Sequence, residues 1–121
     1  MGRILVAGLT LAVIWASSAL AAPAKLYSAK EGPEAVSVQV IPDGAGYELV
    51  INRSGANGCS IKLRGPADMK GGSLKMAADD QGRPCDLQLT PKPAYAELLE
   101  NSCPAHGDGC RIDDLPILQP Q

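Results

Sequence analysis

The first 24 residues constrain this chain most, because they have the order of an export signal. The chain begins Met-Gly-Arg, continues with the apolar run Ile4–Trp15, and then reads ASSALAAPA. A basic start, an apolar stretch and an Ala-x-Ala site are typical of a secretory signal peptide. We therefore predict a signal peptide over residues 1–21, cleaved after Ala21 or, as the alternative, after Ala24.

All four cysteines follow this segment: Cys59, Cys85, Cys103 and Cys110. An even number of cysteines in a short exported chain is typical of a disulfide framework. We therefore expect an exported protein, periplasmic or extracellular, with two disulfides. An uncleaved anchor is the alternative, but the apolar run is short for a spanning helix, and Ser17 and Ser18 interrupt it. We expect no stable membrane insertion after cleavage.

Composition disfavours a nucleic-acid partner. The chain has 11 basic and 13 acidic side chains, and removing Arg3 with the signal leaves 10 − 13 = −3. A negative balance opposes binding to a phosphate backbone. Phe is absent, and the single Trp lies in the signal at position 15. Stacking platforms for single strands need more rings than three tyrosines, so we expect no nucleic-acid binding and an aliphatic core.

Charge is also unevenly placed along the chain. Residues 53–83 carry six basic side chains against three acidic ones, whereas residues from 86 onward carry two basic against six acidic. Such asymmetry can mark a partner surface, although a solvated face is the more common meaning.

The alternation of apolar and polar residues predicts a β-rich domain over residues 36–116. Gly- and Pro-containing turns separate the apolar runs, as in a chain of hairpins. The mature chain, about 100 residues, is one domain's worth. Residues 22–35 are interpreted as a loose leader or short edge segment, and residues 117–121 as a frayed tail. The predicted strands are 36–40, 47–51, 59–64, 73–77, 85–90 and, rather than a helix, 94–100. Residues 67–72 are predicted as a loop, and a short extended piece is predicted near Arg111-Ile112.

Six short strands at this spacing predict an all-β fold, a small antiparallel barrel or sandwich. Cys59 and Cys85 each begin a segment with apolar residues at the second and fourth following positions. Both cysteines are therefore expected to point inward from strands that run the same way. Of the three possible pairings we favour Cys59–Cys85 with Cys103–Cys110.

The segment 103–110, CPAHGDGC, holds four possible metal ligands in Cys103, His106, Asp108 and Cys110. Zinc accepts sulfur, nitrogen and oxygen donors, but this spacing matches no common structural zinc pattern. We favour a disulfide-closed loop with His106 at its tip, and expect no metal.

Catalytic motifs are lacking in the sequence. His106 is the only histidine, and no Gly-x-Ser-x-Gly, phosphate-binding glycine loop, His-Glu-x-x-His or Cys-x-x-Cys motif occurs. The acidic pairs Asp79-Asp80 and Asp113-Asp114 are interpreted as turn or surface residues. We therefore expect a protein that is not an enzyme and has no cofactor.

Exposed loops on a rigid sheet commonly carry recognition, so the Gly-rich loops are the candidate binding surfaces. The candidate binding residues within them are Arg53, Ser54, Asn57, His106 and Asp108.

A signal peptide, short strands and two disulfides in about 100 residues resemble bacterial periplasmic β-barrel proteins, of which the c-type lysozyme inhibitors are the best known. Those inhibitors carry a Ser-Gly-x-x-Tyr loop that enters the enzyme's cleft. Here Ser54-Gly55 is followed by Ala56, Asn57 and Gly58. The tyrosine is missing, so the resemblance transfers no inhibitory residue.

The resemblance implies a non-enzymatic binding or inhibitor module whose partner is a secreted hydrolase such as a lysozyme. An envelope-associated structural protein is the alternative. A small metal-binding protein or hydrolase is a third reading, and it depends on His106.

Overall fold

Residues 24–103 and 108–121 are described by a computed structural model of the chain. They form one closed barrel in which each antiparallel strand pairs with the next and the eighth pairs with the first. The strands are β1 (Lys25–Glu31), β2 (Glu34–Asp43), β3 (Gly46–Ser54), β4 (Ser60–Lys70), β5 (Ser73–Asp80), β6 (Arg83–Pro91), β7 (Ala96–Ser102) and β8 (Ile117–Pro120).

This architecture confirms the predicted all-β class and selects the barrel from the two alternatives. The predicted signal peptide and the cleavage position after Ala21 lie outside the described residues. Ala24, the alternative cleavage position, is the first residue that the structure describes.

Alternation along each strand divides the side chains between the barrel interior and the solvent. In β4, for example, Ile61, Leu63, Gly65 and Ala67 are buried while the residues that alternate with them are exposed. Successive side chains of a strand point to opposite faces, so one apolar set fills the interior. Apart from Arg53, the large fully enclosed side chains are aliphatic or sulfur-containing, as expected without Phe: Val36, Val38, Leu49, Ile51, Leu74, Cys85, Leu87, Leu89, Leu98, Ile112 and Leu118.

Two-residue turns set the register of the hairpins. Gly71-Gly72 joins β4 to β5, and Gln81-Gly82 joins β5 to β6, with positive φ at all four residues. Two consecutive positive φ angles match the right-handed twist of the flanking strands. Lys70 consequently pairs with Ser73, and Asp80 pairs with Arg83, directly across these turns.

The two ends of the barrel differ. One end has the turns at residues 32–33, 55–59 and 81–82 together with the long connection from β7 to β8, and we call it the closed end. The other has the turns at 44–45, 71–72 and 92–95 and the outer ends of β1 and β8, and we call it the open end.

The expected leader and tail are instead strands that close the barrel. β1 pairs with β2 over seven residues, and β8 pairs with both β7 and β1. The leader was missed because Lys25 takes an inward-facing position and Leu26 an outward one, which blurs the alternation. The tail was missed because a single buried residue, Leu118, secures a strand flanked by prolines, which strand ends tolerate.

Of three local predictions, the structure confirms one and corrects two. The choice of strand over helix for residues 94–100 is confirmed by β7. The loop expected at 67–72 shrinks to the turn Gly71-Gly72, because β4 continues to Lys70. The extended piece expected near Arg111 is replaced by short 3-10 turns, Asp108–Cys110 and Ile112–Asp114.

Truncation of Leu118 tests whether β8 is integral to the fold. Leu118 is fully enclosed, whereas its neighbour Ile117 is 46% exposed on the outer face. We expect Leu118→Ala to lower the free energy of unfolding by about 2–5 kcal/mol, since it leaves a cavity. Ile117→Ala is the matched control and should stay within about 0.5 kcal/mol. Urea titrations measure both, and equal effects would show that the tail is frayed after all.

Candidate functional site

The connection between β7 and β8 crosses the closed end of the barrel. We call its described part, residues 108–116, the crossing segment. Cys110 lies beside the start of β4, and the chain then contacts Arg53 of β3 through Arg111 O. It reaches the flank of β7, where Leu98 N–H donates to Pro116 O at 2.8 Å. Ile112 in this segment is fully enclosed in the core. The segment therefore covers the interior at this end.

Two disulfides anchor this covering, and their pairing corrects the sequence expectation. Cys59 bonds Cys110 and Cys85 bonds Cys103, with Cα–Cα distances of 5.5 and 4.1 Å. Both cysteines expected to pair with each other do point inward, but β5 lies between their strands. Strands two apart in a sheet are about 9–10 Å apart, beyond the usual Cα separation of a disulfide. Each cysteine therefore pairs with the connection instead.

Arg53 is the buried centre of an ionic cluster whose carboxylates are partly exposed, and it lies against the crossing segment. Its side chain has no exposed surface, and its Nη2 lies 2.8 Å from Glu34 Oε1 and 3.0 Å from Asp114 Oδ2. Its Nε donates to Arg111 O at 2.8 Å, and its Nη1 donates to Ser54 O. The guanidinium thus joins β2, β3 and the crossing segment. Its charge is compensated by two carboxylates, as a buried cation requires.

A second set of polar contacts ties the crossing segment to β7. The buried Glu100 accepts from Ile112 N–H through Oε1 at 2.9 Å, and its own N–H donates to Asp113 Oδ2 at 3.0 Å. Arg111 Nε donates to Asp113 Oδ1 at 2.9 Å, and Arg111 Nη2 donates to Glu100 O at 3.2 Å. These contacts fix the 3-10 turn Ile112–Asp114 against the strand.

Two carboxyl groups in these clusters have displaced pKa values. The Ala56 N–H, and then the Arg53 guanidinium, stabilise the ionised Glu34 side chain and lower its pKa below the ordinary value of 4.5. Burial alone would raise the pKa of Asp113. Hydrogen bonds from Arg111 and from the Glu100 N–H outweigh burial and lower the pKa of Asp113 below its ordinary 3.8.

The loop at residues 55–59, which we call the β3–β4 loop, is built on the Arg53–Glu34 pair. Gly55 N–H donates to Cys59 O at 2.9 Å, and Ala56 N–H donates to Glu34 Oε2 at 3.1 Å. A Cβ at Gly55 would lie 2.9 Å from Arg53 Nη1 and would overlap the Glu34 carboxylate. Only glycine therefore lets the loop lie this close to the pair.

The tip of the β3–β4 loop is exposed although its base is fixed. Asn57 and Gly58 have φ angles of 59° and 79°, and both are exposed to solvent. Asn tolerates the left-handed region better than most residues, and Gly has no steric cost there. The loop therefore presents Asn57 outward from a backbone that is held at Gly55, Ala56 and Cys59.

The predicted binding residues separate into three groups. Arg53 was expected in an exposed loop and is instead buried, because it lies on the inward face of β3 with Ile51. Ser54 and Asn57 are exposed at the closed end, as a binding surface requires. His106 and the side chain of Asp108 lie outside the described residues.

The metal ligands considered from the sequence are not brought together among the described residues. Among the described residues, no three His, Cys, Asp or Glu side chains come together as a possible metal site. Cys103 and Cys110 are each in a disulfide, so neither offers a thiolate to the zinc site considered from the sequence.

No helix in the described part of the chain is long and apolar enough to span a membrane.

Comparison with protein-family models, with curated proteins and with solved structures finds no match to this chain.

Sequence reasoning missed most of the groups that hold the closed end together. Glu34 fell in the expected leader, and Asp113 and Asp114 were interpreted as surface residues. One available signal was the charge asymmetry, since residues from 86 onward carry six acidic side chains against two basic ones. Three members of the acidic half, Glu100, Asp113 and Asp114, bind Arg53 or Arg111.

Replacing Arg53 tests the cluster. Among the contacts described, Arg53 is the cation that compensates the Glu34 and Asp114 carboxylates, and Arg53→Met removes it. The same change leaves Arg111 O without its donor. We expect a loss of about 2–4 kcal/mol in the free energy of unfolding. Arg64→Met is the control: its pair with Glu48 leaves the arginine side chain 65% exposed, so the cost should be under about 1 kcal/mol. Comparable losses in the two variants would contradict a special role for Arg53.

Acid titration tests the lowered pKa of Glu34. A carboxyl with a lower pKa in the folded state adds stability above its unfolded pKa, and that stability is lost as the pH falls through the folded value. We therefore expect stability to decline on acidification below about pH 4.5. Glu34→Gln should flatten this decline, because it cannot titrate. Thermal unfolding between about pH 6 and about pH 2 gives the pH dependence of stability for both proteins. Identical slopes below pH 4.5 would refute the assignment.

Proposed function

We propose that this chain is a non-enzymatic binding module that recognises a secreted or periplasmic protein through the closed end of its barrel. The two disulfides indicate an oxidising environment, which is compatible with an exported protein. The observation that carries the proposal is the β3–β4 loop, whose backbone is fixed and whose tip is exposed.

The fixed backbone of the β3–β4 loop favours binding, because less conformational entropy is lost when the loop meets a partner. A flexible loop loses conformational freedom when it binds, whereas a loop ordered in advance does not. The β3–β4 loop is restrained by the Cys59–Cys110 disulfide, by the Glu34 carboxylate on Ala56 N–H and by its own backbone hydrogen bonds. These restraints act on both of its ends and leave Asn57 free to contact a partner.

The surface beside the loop is concave, as a recognition surface for a protruding side chain would be. A recess of about 440 Å³ is lined by residues 56–61, Gln81, Gly109 and Cys110. The recess therefore joins the β3–β4 loop to the β5–β6 turn and to the crossing segment. Loops from different strands on one rigid scaffold are a common arrangement for recognition.

The partner we propose is a secreted hydrolase, with lysozymes as the first members to test. The support is the resemblance in architecture to c-type lysozyme inhibitors, namely a small antiparallel barrel with two disulfides. Gly58 stands where those inhibitors have tyrosine, so contact would depend on Asn57 and the recess rather than on an aromatic ring.

The test is direct binding and inhibition against a panel of purified secreted hydrolases, including lysozymes. We expect one class to bind, and Asn57→Gly to weaken that binding at least about fivefold, since an interface anchor contributes about 1 kcal/mol or more. Glycine keeps the left-handed backbone, so this variant changes the contact and not the loop. The control is Gln119→Ala, which alters an exposed amide on β8 away from the loop.

Two results would contradict the proposal. One is a folded protein that neither binds nor inhibits any member of the panel. The other is a partner whose affinity falls equally with Asn57→Gly and Gln119→Ala, which would place recognition elsewhere.

A further inference from the structure

The open end of the barrel contains a cavity that the proposed protein partner does not use. Its volume is about 380 Å³. Buried Tyr27, Val40 and Leu74 line it from within, and Tyr47 and Met69 line it nearer the rim. Small-molecule sites are concave, mostly apolar and about 300–1,000 Å³ in volume. Eight-stranded barrels are wide enough to hold one small ligand at such a mouth.

One inward-facing cation lies at the rim of this cavity. Lys25 precedes the buried Tyr27 by two residues in β1, so the alternation of the strand directs both to the interior side. Lys25 pairs in register with Val40, which also lines the cavity. It is the one charged residue among the described residues of the lining, and it forms no ion pair within the described part of the chain.

Two further side chains indicate that the cavity accepts a ligand. Met69 lies on the inward face of β4, two residues after buried Ala67, yet it is 47% exposed at the mouth. Methionine side chains are flexible and adapt to apolar ligands of different shapes. Tyr27 is only 6% exposed, and none of the described hydrogen bonds uses its hydroxyl. A buried phenol commonly has a hydrogen-bond partner, and a ligand could supply one.

We propose that the open end binds a small amphipathic carboxylate, with its hydrocarbon chain in the apolar cavity and its carboxylate beside Lys25. The apolar lining selects the hydrocarbon, and Lys25, the one charged residue among the described residues of the lining, selects the sign of the head group. The site lies at the opposite end of the barrel from the β3–β4 loop. Ligand binding here is therefore a second activity, separate from recognition of a hydrolase.

Calorimetric titration with three matched probes tests this site. Decanoate, 1-decanol and decyltrimethylammonium share one chain and differ in head-group charge. We expect decanoate to bind best and the cation to bind worst, with the difference shrinking at high salt as the charge on Lys25 is screened. All titrations use the chain without its predicted signal peptide. Each probe is kept below the concentration at which it forms micelles.

Lys25→Gln separates charge from apolar binding. It should weaken decanoate about three- to fivefold, as expected for an accessible ion pair, and leave 1-decanol unchanged. Lys62→Gln, an exposed outward-facing lysine on β4, is the matched control and should change neither affinity. Met69→Asp places a negative charge at the rim and should weaken decanoate more than 1-decanol. Heteronuclear NMR spectra confirm that each variant is folded and locate the perturbed residues.

Three results would overturn the proposal: no probe binds, all three bind equally, or Lys62→Gln has the same effect as Lys25→Gln. Binding of a hydrolase that is lost with Met69→Asp, in the absence of decanoate binding, would also overturn it and assign the mouth to a protein interface. Failure of the hydrolase panel leaves these outcomes unaffected, so the two proposals fail separately.

Discussion

A guanidinium group that is removed from water needs fixed acceptors, and Arg53 obtains them because the chain between β7 and β8 returns over the closed end. Without the crossing segment, Arg53 would lose Arg111 O and the Asp114 carboxylate, and the barrel interior would be open at this end. Without Arg53, the segment would lose its central contact with β3. The closed end is thus a mutual arrangement, in which the cover and the group beneath it depend on each other.

The disulfides and the ionic contacts restrain the same segment in different ways. Cys59–Cys110 joins it to β4, and Cys85–Cys103 holds the end of β7 to β6, so the covalent links fix where the connection starts and where it crosses. The contacts of Arg53 and Glu100 then fix its path back to β8. This division leaves one end of the barrel rigid and polar. The other end, where no such cover lies among the described residues, keeps an apolar mouth. The two proposed activities follow from that difference.

Much of the barrel could be predicted from the sequence because its strands alternate strongly. The hairpin of β2 and β3, and the matching segments that begin at Cys59 and Cys85, show the period of two that a half-buried strand requires. β1 and β8 could not be recognised in this way. Each has one buried side chain, and its stability comes from closing the barrel, which is a long-range effect that a local pattern does not contain.

The candidate site was harder to predict for the same reason. Arg53 was identified as important, but its role depends on partners 19 to 61 positions away in the chain, namely Glu34 and Asp114. The predicted Cys59–Cys85 disulfide would join two cysteines on strands that are separated by a third strand. Strand spacing forbids that pairing, whereas the end of β7 lies directly beside β6, as the pairing of Asp86 with Ser102 shows.

Disulfide mapping tests the central claim that the connection is covalently anchored across the closed end. An endoproteinase that cuts before Asp separates all four cysteines into the fragments 43–67, 80–85, 86–107 and 108–112. Under non-reducing conditions, mass spectrometry should find 43–67 joined to 108–112, and 80–85 joined to 86–107. Linkage of 43–67 to 80–85, with 86–107 joined to 108–112, would contradict the account, because it would release the crossing segment from β4.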